Sequence, residues 1–426
     1  MKKSPILSWV SIGVALASAV GIYFLPNLSL LFLIVLIANL LLAVFSNWPR
    51  FGRDSVIASE ANYSRVLLVC RLLVGALFIF SSFTKGVDPL GTKYKMLDYL
   101  AVYGMTWLND FALVLAMLMI LAEFIVGICL ITNVFPRLAV LGATLLMMFF
   151  TTTTLFDALY DLVPDCGCFG TAVKMTNWQT FYKNLVIDAV LLPLILNNKL
   201  LKNKLKTSTQ FVIGCLYALA FLGFEIYNYR HLPIVDFMNW KVGKQMNAEP
   251  KDEARIYLKY RNKITGETQE YLSPNYPWND SVWMSQWEFV DQRMEGGADY
   301  LGFSALDEDG NDVTDMILST ENLLMFTSHD LSKVTEAEWQ KIKAITDAAE
   351  QHGYYVVWAV ADEPETVEQL LEKYDFLYDV YYGDELEIKT IVRFNPGLIW
   401  LDNGLVKDKW SAIDFPQGNK LEQLFE

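Results

Sequence analysis

Two thiols one residue apart are the feature of this chain with the plainest chemical consequence. Cys166 and Cys168 flank Gly167 in the run PDCGCFG, residues 164–170, and the chain has five cysteines in all. A disulfide between residues i and i+2 closes a very small ring, and its Cα atoms must come within about 7 Å. Gly167 helps, because glycine adopts backbone angles closed to other residues. Strained, accessible disulfides are the readily exchanged kind, whereas stabilising bridges usually close longer loops. The spacing points to thiol–disulfide exchange. Two other readings stand beside it: structural thiols in a loop, or part of a metal site. The metal reading lacks ligands, since zinc usually takes four and His231, His329 and His352 are distant in sequence. Asp161 and Asp165 lie close by. Neighbouring carboxylates raise a thiol pKa, which predicts a slow attacker that can still accept or donate electrons.

The pair must be held by its surroundings, and these are apolar. Up to about residue 228 the chain is a series of apolar runs; beyond it the composition is that of a soluble protein. Residues 1–228 carry 16 Lys/Arg and 11 Asp/Glu, and residues 229–426 carry 18 and 37. That acidic second half argues against nucleic-acid binding, which needs clustered Lys and Arg. Seven segments approach the roughly 20 apolar residues needed to span a bilayer: 6–25, 28–47, 64–83, 110–132, 136–157, 181–197 and 209–228. The first also has the form of a signal peptide, with Lys2 and Lys3 before an apolar run, though no convincing cleavage site follows. Lys and Arg collect in alternate connections. Placing those in the cytoplasm predicts that the connections 84–109 and 158–180 and the soluble half face the periplasm. The cysteine pair then faces the oxidising side, where disulfides persist.

Ionisable residues inside spans are costly and are functional candidates. Arg71, Glu123 and Asp188 fall at similar depths, which predicts an Arg71–Glu123 ion pair with Asp188 nearby. Such a group serves either as a clamp between helices or as a polar wall for a quinone head group or proton path. Cys70, Cys129 and Cys215 lie within spans and read as small packing residues.

Residues 64–228 resemble the DoxX/MauE-like family of redox-associated membrane proteins. The resemblance rests on Arg71, Gly75 and Lys85 in RLLVGALFIFSSFTKGVDPLG, on Glu123 and Gly127 in EFIVG, and on DCGCFG. It implies a four-helix membrane core in the spans from 64 to 197. It also implies an association with periplasmic thiol or sulfur redox chemistry, including maturation of the disulfide-rich methylamine dehydrogenase and quinone-linked thiosulfate oxidation. By it, Cys166 and Cys168 are the redox pair, with Arg71, Lys85 and Glu123 as supporting polar residues. The run HLPIVDF (231–237) is similar to the exit from the last helix in members with an attached soluble domain, which commonly continue with Arg-Pro where this chain has Met238-Asn239.

The soluble half divides into a β-rich connecting segment, 229–300, and a domain from 301 to 426. ARIYLKYRNKITGETQEYL predicts a hairpin, and the Trp-rich run YPWNDSVWMSQWEFVDQ reads as packing. Then come a hairpin in YLGFSALDEDGNDVT, a buried strand NLLMFTS, a helix capped by Thr335 and Glu338, a strand YYVVWAV and a helix opened by Pro364. IVRFNPGLIWLDNGLVKDKW reads as strand, proline turn, strand, Asn-Gly turn, strand. The order suggests a mixed sheet covered by helices and resembles the thioredoxin fold. That resemblance implies that Pro396 is a cis-proline that helps bind partner backbone. Where the fold places its Cys-x-x-Cys, this chain has Ser328-His329-Asp330-Leu331, with no thiol; His329 and Asp330 read as turn residues capping the helix.

The combined expectation is a polytopic α-helical protein of the bacterial inner membrane, with residues 1–63 as two extra spans and a cytoplasmic loop. It would be a thiol–disulfide redox protein exchanging electrons through Cys166/Cys168 with a periplasmic partner and a membrane carrier of the quinone class. The soluble domain would offer the partner a sheet edge. The alternative is a non-enzymatic membrane-anchored assembly or maturation scaffold. A transporter is less favoured, since no paired broken helices or inverted repeat is evident.

Overall fold

The computed structural model describes residues 60–163, 166–202, 205–247, 255–263, 268–272, 277, 281–295, 303–374 and 378–425. The expected spans 6–25 and 28–47, the signal-peptide reading, Pro164 and Asp165 lie outside the described residues. The chain divides into two compact units, Met1–Phe237 and Met238–Glu426.

In the first unit the helices are α1 (Glu60–Gly86), α2 (Pro89–Val102), α3 (Ala112–Thr132), α4 (Pro136–Tyr160), α5 (Asn177–Leu196) and α6 (Thr207–Arg230). Five stretches among the described residues are long and apolar enough to cross a membrane: Arg65–Gly86, Thr106–Thr132, Pro136–Tyr160, Asn177–Leu196 and Thr207–Arg230. They coincide with the last five spans expected from hydropathy. Between the first two, residues 84–109 are not an open connection. Asp88 caps α2 by accepting from Gly91 N at 2.8 Å, and Pro89 opens it, the position where a missing N–H costs nothing.

Helices α1 and α3 cross closely because glycines meet at the crossing. A Cβ built on Gly127 falls 2.9 Å from the Gly75 carbonyl oxygen, and one on Gly75 falls 2.8 Å from the Gly127 oxygen. Without a hydrophobic drive between helices in lipid, small residues at crossings allow the close packing that holds them. Around this contact Val74, Phe78, Leu130, Val140, Met147 and Leu191 are buried. Arg71 lies toward the end of this crossing farther from the cysteines. Its guanidinium donates to the Leu130 carbonyl at 2.9 and 2.7 Å and to Asn133 Oδ1, capping the C-terminus of α3.

The second unit contains two sheets. In the smaller, β1 (Arg255–Asn262) pairs antiparallel with β2 (Thr268–Leu272) and β3 (Trp287–Glu295); a short helix α7 (Ser281–Gln286) precedes β3. Trp283 packs against Tyr260, Tyr271 and Trp287, so the Trp-rich run supplies packing, as its composition suggested. The larger sheet follows α8 (Thr314–Ser319) and has the order β6-β5-β4-β7-β8. Its members are β4 (Leu323–Ser328), α9 (Glu336–Gln351), β5 (Tyr355–Val360), α10 (Pro364–Tyr374), β6 (Asp379–Tyr382), α11 (Glu385–Ile391), β7 (Gly397–Asp402), β8 (Leu405–Ser411) and α12 (Asn419–Leu424). Strands β4, β5 and β6 are parallel, β7 runs antiparallel to β4, and β8 runs antiparallel to β7. The Thr335/Glu338 capping box forms as expected. Residues 391–394 are not the expected strand. Ile388, Ile391 and Val392 are all buried at helical spacing, so α11 ends there and the edge strand is β6 instead. The expected hairpin around Gly310 is only an isolated bridge between Leu306 and Asp312.

Both edges of the larger sheet are partly filled by the chain itself. Leu306 exchanges backbone hydrogen bonds with Tyr382 on β6, and Gly243, Lys244 and Met246 bond to Val406 and Gly404 beside β8. Each contact engages one strand residue, Tyr382 on β6 and Val406 on β8.

The α1–α3 crossing makes the first prediction. Gly127→Val forces a side chain into the Gly75 backbone and lowers the stability of the purified protein by about 1–3 kcal/mol, the usual cost of overpacking. It is read as a lower thermal midpoint in detergent. Gly214→Val, on α6, meets nothing within 4 Å and leaves the midpoint in place.

Candidate functional site

The cysteines sit in the loop between α4 and α5, against the last turn of α1. Gly167 has φ +61°, the left-handed conformation that the Cys-Gly-Cys bend asks for. Gly170 has φ +55°, and a Cβ there would stand 2.9 Å from the Thr84 carbonyl oxygen. The second glycine of the CGCFG run thus lets the loop lie directly on α1. Phe169 packs on Phe80, with ring centroids 5.4 Å apart.

The two thiols are free, and their sulfur atoms are 3.1 Å apart. Beneath them, Lys85 Nζ contacts Glu123 Oε1 at 2.6 Å, and both groups are buried. Ser81 Oγ lies 2.8 Å from Glu123 Oε2 and 2.9 Å from the Cys168 carbonyl oxygen. It joins the ion pair to the cysteine backbone. From α5, the Lys183 ammonium donates to Cys168 Sγ and lies 4.5 Å from the centre of the Phe169 ring. From α2, Tyr99 reaches Cys166 and donates to Asp157 Oδ2 on α4 at 2.6 Å.

The surroundings make the two thiols unlike. Cys168 is held down to about 6, first by the hydrogen bond from Cys166, against a burial penalty, with Lys183 and Lys85 helping. Cys166 is pushed well above the usual thiol range, by its bond to Cys168 and by burial. Thiolate is the reactive form, so these surroundings favour Cys168 as the more nucleophilic sulfur and Cys166 as the one that keeps its proton. Of the two acidic neighbours that the sequence expectation invoked, Asp161 turns toward the Asn177 amide, 3.4 Å away, and Asp165 lies outside the described residues; among the described residues the charges lowering Cys168 are Lys183 and Lys85.

The expected Arg71–Glu123 ion pair is not formed. Arg71 is fourteen residues from Lys85 on α1, about 21 Å along the axis, and binds the end of α3. Glu123 takes Lys85 instead. Asp188 accepts from Thr151 at 2.8 Å, tying α5 to α4. Of the supporting residues singled out from the sequence, Lys85 and Glu123 belong to the cysteine site; Arg71 and Asp188 serve helix ends and helix contacts. Ser81, Tyr99, Asp157 and Lys183 were missed. The Asp88-Pro89 start signal could have revealed the helix that carries Tyr99, but nothing local marks the other three. A groove of about 420 Å³, lined by apolar side chains including Val126, Leu138, Gly142 and Cys215, lies between α3, α4 and α6 toward the opposite end. It is not continuous with the site.

In the second unit the Asn395–Pro396 peptide is cis. Asn395 Oδ1 accepts from Ser328 Oγ at 2.7 Å and His329 N at 3.0 Å, and Asn395 Nδ2 donates to the Asp330 carbonyl at 2.6 Å. The proline turn is thereby latched to the loop that follows β4. Burial holds His329 down to about 4, with Lys389 acting in the same direction, so it is neutral at pH 7. Asp330 makes no side-chain cap; it accepts from Ser332 and pairs with Lys333.

Together these features define a multi-pass helical membrane protein with a dithiol loop fastened over a buried ion pair. Residues 63–197 match the family model described as methylamine utilisation protein MauE. That segment runs from α1 through α5 and includes every residue of the dithiol site; it is about a third of the chain and stops short of α6, so the likeness covers less than the 64–228 read from sequence. No curated protein and no solved structure matches the chain.

Unequal thiols predict unequal labelling. With iodoacetamide, Cys168 reacts with a midpoint near pH 6 and reaches its plateau by neutral pH, while Cys166 labels only above the ordinary thiol range. Cys166→Ala removes the main hydrogen-bond donor and moves the Cys168 midpoint up; Lys183→Met moves it up by less. Mass spectrometry of labelled peptides across pH checks both. Equal midpoints for the two thiols contradict the assignment.

Proposed function

We propose that the protein is a thiol–disulfide redox component of the bacterial inner membrane, with Cys166 and Cys168 cycling between dithiol and disulfide. The observation that carries this reading is the pair itself: two free sulfurs 3.1 Å apart, one beside lysines and one held as a thiol. A stapling bridge needs no such asymmetry. An exchange centre needs one sulfur ready to attack and a second to resolve the mixed disulfide. The match of residues 63–197 to the MauE family model supports a place in redox or maturation chemistry of the kind that methylamine utilisation requires.

In this reading the cysteine loop and the second unit face the periplasm, by the distribution of Lys and Arg. The partner is a periplasmic protein with a reactive thiol or disulfide, and the electrons pass to or from a carrier of the quinone class in the membrane. The second unit is a thioredoxin-like domain without its thiols. Its parallel β4–β5–β6, its antiparallel β7–β8 and the cis Pro396 beside the loop after β4 support that assignment. Docking would use the Pro396 turn and strand pairing at a sheet edge.

The test is the redox state in intact cells. Free thiols trapped with a membrane-impermeant alkylating reagent should show a mixed Cys166/Cys168 population that shifts when quinone reduction is blocked. Replacing both by Ser should abolish function. A pair indifferent to respiratory state, together with a working double-Ser variant, would leave the membrane-anchored scaffold as the correct account.

A further inference from the structure

Oxidising the dithiol requires somewhere for a proton to go. The Cys168 sulfur has none to lose, but Cys166 must shed its proton before it can close the disulfide. Asp157 is fully buried on α4, and its Oδ1 makes no hydrogen bond. Its Oδ2 accepts from the Tyr99 hydroxyl at 2.6 Å, and Tyr99 is also in hydrogen-bond contact with Cys166. A buried carboxylate with an acceptor position that none of the described residues fills costs stability.

We infer that Tyr99 and Asp157 form a proton relay for Cys166. The inference rests on the redox reading above. In the resting dithiol the Cys166 thiol donates to the Cys168 thiolate, and the Tyr99 hydroxyl donates to Asp157. A partner disulfide is then attacked by Cys168, forming a mixed disulfide and releasing the first partner thiolate. Cys168 no longer offers a negative acceptor, so the Cys166 S–H turns to the Tyr99 oxygen. The Cys166 proton passes to Tyr99 as the Tyr99 proton passes to Asp157. The Cys166 thiolate attacks Cys168 Sγ, the intramolecular disulfide forms and the second partner thiolate leaves. Two electrons have moved from the dithiol to the partner disulfide; Asp157 holds the proton until it is returned to a released thiolate. Run backwards, the same relay protonates Cys166 as it leaves the disulfide. Tyr99 contacts the reacting sulfur and is catalytic; Asp157 acts through it. Among the described residues, the other charged or titratable groups around them include Tyr103 beside Asp157, Lys85 beside both thiols and Lys183 beside Cys168. Glu123 is neutralised by Lys85.

The experiment uses the reduced full chain in lipid nanodiscs with Cys215→Ser, which removes an exposed thiol, and a dipyridyl disulfide as probe. Each attack releases one coloured thiopyridone: the first phase reports Cys168, the second its resolution by Cys166. With an internal base, the second phase in the otherwise unaltered protein stays nearly flat from about pH 6 to 8; without one it rises about tenfold per pH unit, following bulk deprotonation of the thiol. Asp157→Asn and Tyr99→Phe should each slow the second phase, on the order of a hundredfold, and restore the pH slope, leaving the first phase unchanged. An unaltered second phase in both variants, or a tenfold-per-unit slope in the unaltered relay, overturns the inference while the redox reading stands. No second phase at all sinks the redox reading itself. Should either variant fail to fold, seen as loss of the fast first phase, the pH slope of the unaltered relay decides alone.

Discussion

The buried contact between Lys85 and Glu123 is the constraint on which the dithiol site depends. Neither charge has access to water, and each is tolerable only because the other is present. Removing one partner of such a pair typically costs about 3–5 kcal/mol, since an uncompensated charge is left behind. The pair does more than hold α1 to α3. Ser81 extends it to the carbonyl of Cys168, and Gly170 lets the loop settle on Thr84. The cysteine backbone is therefore registered against a fixed charge pair and not left to the flexibility of a surface loop.

From that registration follows the difference between the two sulfurs. One sulfur receives a hydrogen bond and faces Lys183; the other gives that bond and faces Tyr99. Their separation in sequence is one glycine, so the asymmetry comes from the helices around them. Each of the five helices α1 to α5 contributes a polar residue to this end of the bundle, and the two acidic groups Glu123 and Asp157 keep separate partners. The opposite end of the α1–α3 crossing is different in kind. There Arg71 spends its donors on the carbonyls that end α3, which satisfies groups a helix terminus leaves open. That role is the helix clamp that sequence reasoning held as one of two options, with a different partner.

In the second unit Asn395 latches the cis-proline turn at Pro396 to the loop after β4, and His329 in that loop is half-buried. The rest of the chain touches the edges of its five-stranded sheet at Tyr382, through Leu306, and at Val406, through Gly243 and Lys244. The connecting stretch after Phe237, featureless in sequence, turns out to be part of this sheet's framework, with Trp240 buried against Phe303.

Much of this was legible in one dimension. Apolar run length marked the five candidate spans, because a helix crossing lipid must be apolar over a set length whatever it packs against. Cys-Gly-Cys marked the closely spaced thiols, and the capping box at Thr335 and the alternation of strands and helices after residue 320 are local signals read from local sequence. What could not be read was which charges meet. Arg71 and Lys85 sit on one helix, and Glu123 faces one of them only because the Gly75–Gly127 crossing sets the offset of α1 against α3; depth estimates from span boundaries carry errors of several residues, more than a helical turn. Tyr99, Asp157 and Lys183 are separated from the cysteines by up to 69 positions, and no spacing rule links them. The residue types that could do chemistry were determined by the sequence alone; their partners were decided by helix crossings, because ion pairs and proton paths depend on distances of a few ångströms that only the packed bundle defines.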